Sequence, residues 1–169
     1  MSDQLANVLK KQKEQLTKSM DSEENIDENI VQLVGFTVGG EEFAVPILSI
    51  QEIIKPIPHT RVPKTPDYVL GVFNLRGNVI PLIDLRKKFR VVNIQQHNED
   101  TRYIVIKDGD NVAGFVIDKI TEAIRLNKKN IEPAPETLKK DKSIISGVGK
   151  LDRSIITILK PEELLKRDF

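Results

Sequence analysis

Val69-Leu70-Gly71-Val72-Phe73-Asn74-Leu75-Arg76-Gly77-Asn78-Val79-Ile80-Pro81-Leu82-Ile83 is the stretch that decides the fold class. Its first seven residues are almost continuously apolar, as in a strand buried on both faces. Arg76-Gly77-Asn78 is a turn signal, and Val79 to Ile83 reads as the returning partner strand. Proline has no amide hydrogen to donate, so Pro81 places its strand at a sheet edge or at a bulge. Asp84 is a candidate N-cap for a short helix over residues 85–89.

The same texture extends outward in both directions. Upstream, the branched and aromatic run 31–38 is followed by Gly39-Gly40, and then Phe43, Val45 and Ile47 alternate with Glu42, Ala44 and Pro46. Two such runs around a Gly-Gly pair predict a tight hairpin, since glycine accepts the positive φ of primed turns. Residues 47–54 read as a short helix with Ile47, Ile50 and Ile54 on one face, stopped by Pro56 and Pro58. Downstream, residues 103–106 and 112–117 flank Asp108-Gly109-Asp110-Asn111, a second hairpin signal. Ile120, Ile124 and Leu126 belong to a long strand running towards Ile131, and residues 144–145 and 155–159 to two more strands. Pro161, followed by Glu162 and Glu163, starts a terminal helix. Roughly ten short strands with turn signals predict an all-β fold of small barrels, with minor α content. Each half alone is short of core, so two barrels packed together are expected, with approximate lobes at residues 40–90 and 100–155 and the terminal segments packing between or beside them.

Residues 1–29 differ. They carry four lysines against seven acids and few apolar residues, so they bury too little to offset the entropy of ordering and are expected to be a mobile tail. Leu5, Val8, Leu9 and Leu16 keep helical spacing, which a frayed helix would also explain. The remaining 140 residues form the folded region, 30–169, within a chain of 169.

Composition removes whole classes of function. The chain has 26 Lys+Arg against 25 Asp+Glu, a formal charge of +1, so no strong field selects nucleic acid or anionic lipid. With Cys 0 there is no disulfide, thiolate metal site or cysteine nucleophile, and His59 and His97 are too few for a three-histidine zinc centre. Neither a secretory signal nor an apolar run of about 20 residues is present, and a cytoplasmic protein is expected. Ser146-Gly147-Val148-Gly149-Lys150 is not a phosphate loop: Ile144 stands where its first glycine belongs, and Leu151 where it needs Ser or Thr. Those glycines read as relief for a β-turn or bulge. Asp84 with Asp67, or Glu41 with Glu42, offer carboxylate pairs that read more simply as solvated or edge-strand polarity. The clusters Arg86-Lys87-Lys88 with Arg90, Lys128-Lys129, and Lys139-Lys140 with Lys142 read as solvated basic faces. A nucleic-acid-binding barrel would need aromatic platforms among them, whereas Phe36, Phe43, Phe73 and Phe115 occupy core-like positions.

Arg76 is the most informative single residue. It ends an apolar strand just before Gly77, so its side chain emerges at the surface either as a solubilising charge or as an interface anchor.

These motifs resemble a known family. Residues 71–86, from Gly71-Val72-Phe73-Asn74-Leu75-Arg76-Gly77-Asn78 through Val79-Ile80-Pro81-Leu82-Ile83-Asp84-Leu85-Arg86, closely resemble the signature of the CheW family of bacterial chemotaxis coupling proteins. Ile47-Leu48-Ser49-Ile50-Gln51-Glu52-Ile53 resembles a second family segment. Val112-Ala113-Gly114-Phe115-Val116-Ile117-Asp118 and Ile131-Glu132-Pro133-Ala134-Pro135 resemble a third and fourth, in the right order.

The resemblance implies two SH3-like five-stranded β-barrels and a non-catalytic adaptor needing no cofactor or metal. Its partners would be the regulatory domain of the histidine kinase CheA and the cytoplasmic tip of methyl-accepting chemoreceptors, and it would control kinase autophosphorylation within signalling arrays at the membrane. By motif position Ile50, Glu52 and Arg76 correspond to coupling residues, while Gly39, Gly40, Gly77 and Gly114 serve as turn glycines. Ala123 stands where the family often has a branched apolar residue. The regulatory domain of CheA and the CheV type share this module, the first on a longer chain and the second with a receiver domain. A nucleic-acid-binding small barrel is the alternative from another class.

Overall fold

The computed structural model describes residues 2–21, 29–91, 98–136 and 143–166, with side chains in the first segment described for residues 4–14. In chain order the elements begin with helix α1 (Ser2–Asp21), then strands β1 (Ile30–Val38), β2 (Glu41–Pro46) and β3 (Ile50–Ile54). Next come β4 (Val69–Leu75), β5 (Asn78–Asp84), the short helix α2 (Leu85–Lys88), β6 (Arg102–Asp108) and β7 (Asn111–Ile117). The series closes with β8 (Lys119–Asn127), β9 (Ile131–Glu132), β10 (Ile145–Leu151), β11 (Ser154–Leu159) and α3 (Pro161–Leu164).

These strands form two sheets, in agreement with the all-β reading. One has six strands in the order β8-β1-β2-β11-β10-β9, and the other has five in the order β3-β6-β7-β5-β4. The division of the chain differs from the expected lobes at residues 40–90 and 100–155. The middle of the chain makes the five-stranded sheet, and the two ends meet in the six-stranded one. Parallel pairings do the stitching: Leu82 lies opposite Gly114 between β5 and β7, and Phe43 opposite Thr157 between β2 and β11. Neither sheet is a closed barrel, but each wraps a cluster of its own. Phe73, Leu82, Tyr103, Val105 and Val116 fill the five-stranded lobe. Leu33, Ala44, Ile124, Leu126, Ile156 and Ile158 fill the other.

A third and larger cluster lies between the sheets. Phe36, Phe43 and Val45 from one meet Ile50, Ile104, Phe115 and Ile117 from the other, with Leu159 and Leu164 beside them. Phe43 sits 6.1 Å from Phe36 and 5.2 Å from Phe89, ring centre to ring centre. Neither lobe can be pulled away without exposing this layer, so the shared core makes the lobes one cooperative unit.

Most local expectations hold, because they rest on backbone rules. Gly39 (φ 60) and Gly40 (φ 83) turn β1 into β2. Asp84 caps α2, its Oδ1 accepting from the Arg86 amide at 2.9 Å. Pro161 opens α3. After Gly147 and Gly149 comes a strand rather than a helix, and the ladder shifts register between Ile145 and Gly147, as a bulge glycine requires.

Several readings are corrected. β4 is an edge strand, and Val72 is bridged from outside by Thr60 through paired 2.8 Å hydrogen bonds. β5, which carries Pro81, is interior; its ladder to β7 starts at Leu82, so proline's missing donor falls just before the pairing begins. β2 is interior too, with Glu41 and Glu42 exposed beyond the reach of β11. Residues 47–54 are a single 3-10 turn, Ile47–Ser49, followed by β3. The β-branched isoleucines there have a strand partner in β6, which overrides the helical spacing. A 3-10 turn at Lys128–Asn130 separates β8 from Ile131. Gly114 lies mid-strand, where a Cβ would stand 2.7 Å from the Phe73 ring, so this glycine makes room for a core aromatic and turns nothing. Ser2–Asp21 is helical, as the spacing of Leu5, Val8, Leu9 and Leu16 allows; residues 1 and 22–28 of that segment lie outside the described residues.

Candidate docking site

The edge strand β3 begins with a bulge in its ladder with β6. Ile50 lies opposite Ile106 and Glu52 opposite Val105, so Gln51 is the extra residue. The bulge turns consecutive side chains to different surroundings. Ile50 is buried in the shared core, whereas the Glu52 carboxylate reaches the surface with 20% of its side chain exposed.

Across the sheet, β4 and β5 are joined by a two-residue loop, since Leu75 pairs with Asn78. Both loop residues have positive φ, 52° at Arg76 and 86° at Gly77, the requirement of a primed hairpin turn. Glycine meets it freely; arginine rarely adopts it. Asn74 Oδ1 accepts from the Gly77 amide at 3.0 Å and pins the loop. The outcome is a guanidinium held at the hairpin tip with 75% of its side chain exposed.

Arg76 and Glu52 meet there. Arg76 Nε donates to Glu52 Oε2 and Nη2 to Oε1, both at 3.1 Å. β3 and β4 are the opposite edges of the five-stranded sheet and share no ladder. The sheet therefore curls far enough for one bidentate side-chain bridge to span its open edges. The hydrogen bond to Glu52, then its charge, raise the Arg76 pKa further above its already high ordinary value. Solvent screens so exposed a pair, so it adds little to stability and breaks readily in favour of another carboxylate. Val79, beside the tip, is exposed at the surface.

A second arginine–carboxylate cluster, missed in the sequence, lies inside. Arg86, expected on a solvated basic face, is buried, and so is Asp84. Arg86 Nε and Nη2 donate to the two Asp84 oxygens at 3.2 Å each, and Nη1 approaches Asp118 at 3.7 Å. Asp118 Oδ2 in turn accepts from the Gly39 amide at 2.6 Å. This network joins the β1–β2 turn, the end of β7 and α2. No local pattern announces it, because its members come from three distant parts of the chain.

Of the other candidates, Lys87, Lys128, Lys129 and His59 are exposed, and Phe36, Phe43, Phe73 and Phe115 are buried. His97, Lys139, Lys140 and Lys142 lie outside the described residues. Among the described residues, no group of three or more His, Asp or Glu side chains is placed to hold a metal ion, and no helix is long and apolar enough to cross a membrane. A protonated guanidinium with a carboxylate beside a partly apolar hollow offers recognition chemistry: fixed hydrogen-bond donors and a replaceable counter-charge.

The family model described as CheW-like domain matches residues 32–169. The chain belongs to the CheW-like family. A chemotaxis protein CheW of Helicobacter pylori is 51% identical over 169 residues, covering 100% of both chains. A chemotaxis protein CheW of Klebsiella aerogenes is 38% identical over 136 residues, covering 79% of this chain and 80% of its own. Among solved structures, the scaffolding protein TtCheW from Thermoanaerobacter tengcongensis superposes with a TM-score of 0.75 at 30% identity, over 82% of this chain and 89% of that one. The chain is thus a CheW-type chemotaxis adaptor. On this CheW-like fold the signature segment 71–86 is the β4–β5 hairpin with α2, so one family motif carries both arginines: Arg76 at its tip and Arg86 in the interior.

Proposed function

We propose that this CheW-like adaptor couples methyl-accepting chemoreceptors to the histidine kinase CheA in the cytoplasm and controls kinase autophosphorylation, with the Glu52–Arg76 end of the five-stranded lobe as its coupling surface. The observation that supports this is the exposed bidentate pair spanning two sheet edges that no backbone ladder joins. An adaptor that grips two partners raises the effective concentration of each for the other. It passes a signal only if its contacts differ between the kinase-on and kinase-off arrangements. A screened, breakable bridge suits that demand: Arg76 can hold Glu52 in one arrangement and a partner's carboxylate in the other. Ile50 is buried in the shared core and lines the same hollow as Glu52 and Arg76, so it belongs to this surface.

The test is a mutant cycle of Arg76→Ala, Glu52→Gln and the double variant in a reconstituted receptor–kinase phosphorylation assay, with unfolding curves alongside. The expected result is an unchanged unfolding midpoint, loss of most receptor-dependent kinase activation in Arg76→Ala, and no further loss in the double variant. Wild-type activation by all three variants would refute the assignment, and an unfolded Arg76→Ala would move the effect from coupling to stability.

A further inference from the structure

Helix α1 lies over the site just described. Among its described side chains, Leu9 is 8% exposed and joins the shared core, whereas Leu5 and Val8 remain 42% and 48% exposed. Two hollows stay open beneath the helix. One, of about 350 Å³, lies between Leu9, Lys10 and Lys13 on α1 and Ile50, Glu52 and Arg76 on the sheet. The other, of about 250 Å³, separates Leu5 and Ala6 from Ile53, Arg102 and Ile120.

The contact also carries penalties. Gln12 Oε1 is buried and, among the described residues, has no hydrogen-bond partner, an arrangement native interiors seldom tolerate. Burial lowers the pKa of Lys13, so docking the helix disfavours its charged form. A helix meant to stay would fill the space under it and satisfy its polar atoms. Among its described side chains, Leu9 is the buried hydrophobic that ties it to the core.

We propose that α1 is a detachable strap: it covers the Ile50–Ile53 stretch beside Glu52 and competes, within the molecule, with an amphipathic helical segment of the receptor tip for that face. This deepens the docking reading above and rests on it. α1 itself displays the chemistry of the competitor, an amphipathic helix with leucines one turn apart at Leu5 and Leu9 and with Lys10 and Lys13 around the same hollow as Glu52. A site open for only part of the time binds with an apparent affinity reduced by that fraction, so loosening the strap must tighten binding.

Two substitutions in the full-length chain have opposite expected signs. Leu9→Gln removes the buried anchor among the described side chains; Gln12→Leu removes the unpartnered acceptor and adds apolar contact. Leu9→Gln is expected to lower hydrogen-exchange protection at Gln51–Ile53, leave the unfolding midpoint of the β-sheets in place, and tighten binding of a receptor-tip fragment by about threefold or more. Gln12→Leu is expected to raise protection and weaken that binding. If both variants bind as the wild type does, or if Leu9→Gln binds more weakly, α1 is inert or part of the platform and the strap is refuted. Should Leu9→Gln fail to fold, the sign of the Gln12→Leu effect decides. If no form of the chain binds the receptor fragment, the docking reading itself falls and the strap with it, whatever the exchange data say.

Discussion

Two arginines ten positions apart on one motif meet carboxylates in the same bidentate way and are suited to opposite work. Arg86 is 5% exposed, holds Asp84 at 3.2 Å and approaches Asp118; Arg76 is 75% exposed and holds Glu52 at 3.1 Å. Distance and chemistry barely differ, so the surroundings make the difference. In the interior, solvent cannot replace a lost partner, and removing one charge strands the others. At the hairpin tip water replaces a partner at little cost, so the bridge is free to open. Buried, an ion pair is structure; exposed, it is available for exchange.

The comparison breaks most visibly at Arg86. Arg86→Met leaves the buried Asp84 and the half-buried Asp118 without their counter-charge, and a loss of about 3–5 kcal/mol is expected in denaturant unfolding. A loss under about 1 kcal/mol would place this network with the exposed pairs and dissolve the contrast.

Gly114→Ala sharpens it next. The new methyl would meet Phe73 at 2.7–2.8 Å, so β4 must shift or the ring must turn, at about 1–3 kcal/mol. Since β4 leads into the hairpin tip that holds Arg76, kinase coupling should fall even though neither Arg76 nor Glu52 is touched. Intact coupling in a destabilised Gly114→Ala would mean that the tip does not depend on the lobe beneath it.

Arg76→Gly should have the smallest effect on stability and a large one on coupling. Glycine accepts the φ of 52° that arginine adopts under protest, so the unfolding midpoint should hold or rise while receptor-dependent activation is lost. A lower midpoint than that of Arg76→Ala would assign the arginine to the scaffold after all.

How far the sequence could be read follows the range of the forces involved. Gly39-Gly40, Arg76-Gly77, the Asp84 cap and Pro161 were legible because each is a local demand on φ or on an orphan amide. Arg76 was singled out by its place between an apolar strand and Gly77, and motif resemblance added its coupling role and that of Glu52; that they touch was not legible, because β3 and the β4–β5 hairpin lie at opposite sides of one sheet. That Ile50 is buried in the shared core while Glu52 reaches the surface was not legible either, since the bulge at Gln51 turns the two side chains to different surroundings. Arg86 was misread as a surface charge although Asp84 stands two residues before it, because what buries the pair, Asp118 and the Gly39 turn among it, is distant in sequence.

Local residue order alone determined that this chain is built of short hairpins, with runs of branched residues, no cysteine chemistry, and a family signature running from the first strand to the last. The tertiary structure decided which hairpins share a sheet, which arginine is enclosed, and that an N-terminal helix lies across Ile50–Ile53. The physical reason is that turns and caps are settled among neighbours within a few bonds. Burial, which converts an ion pair from a solvated contact into a structural tie, is settled only when distant segments exclude water together.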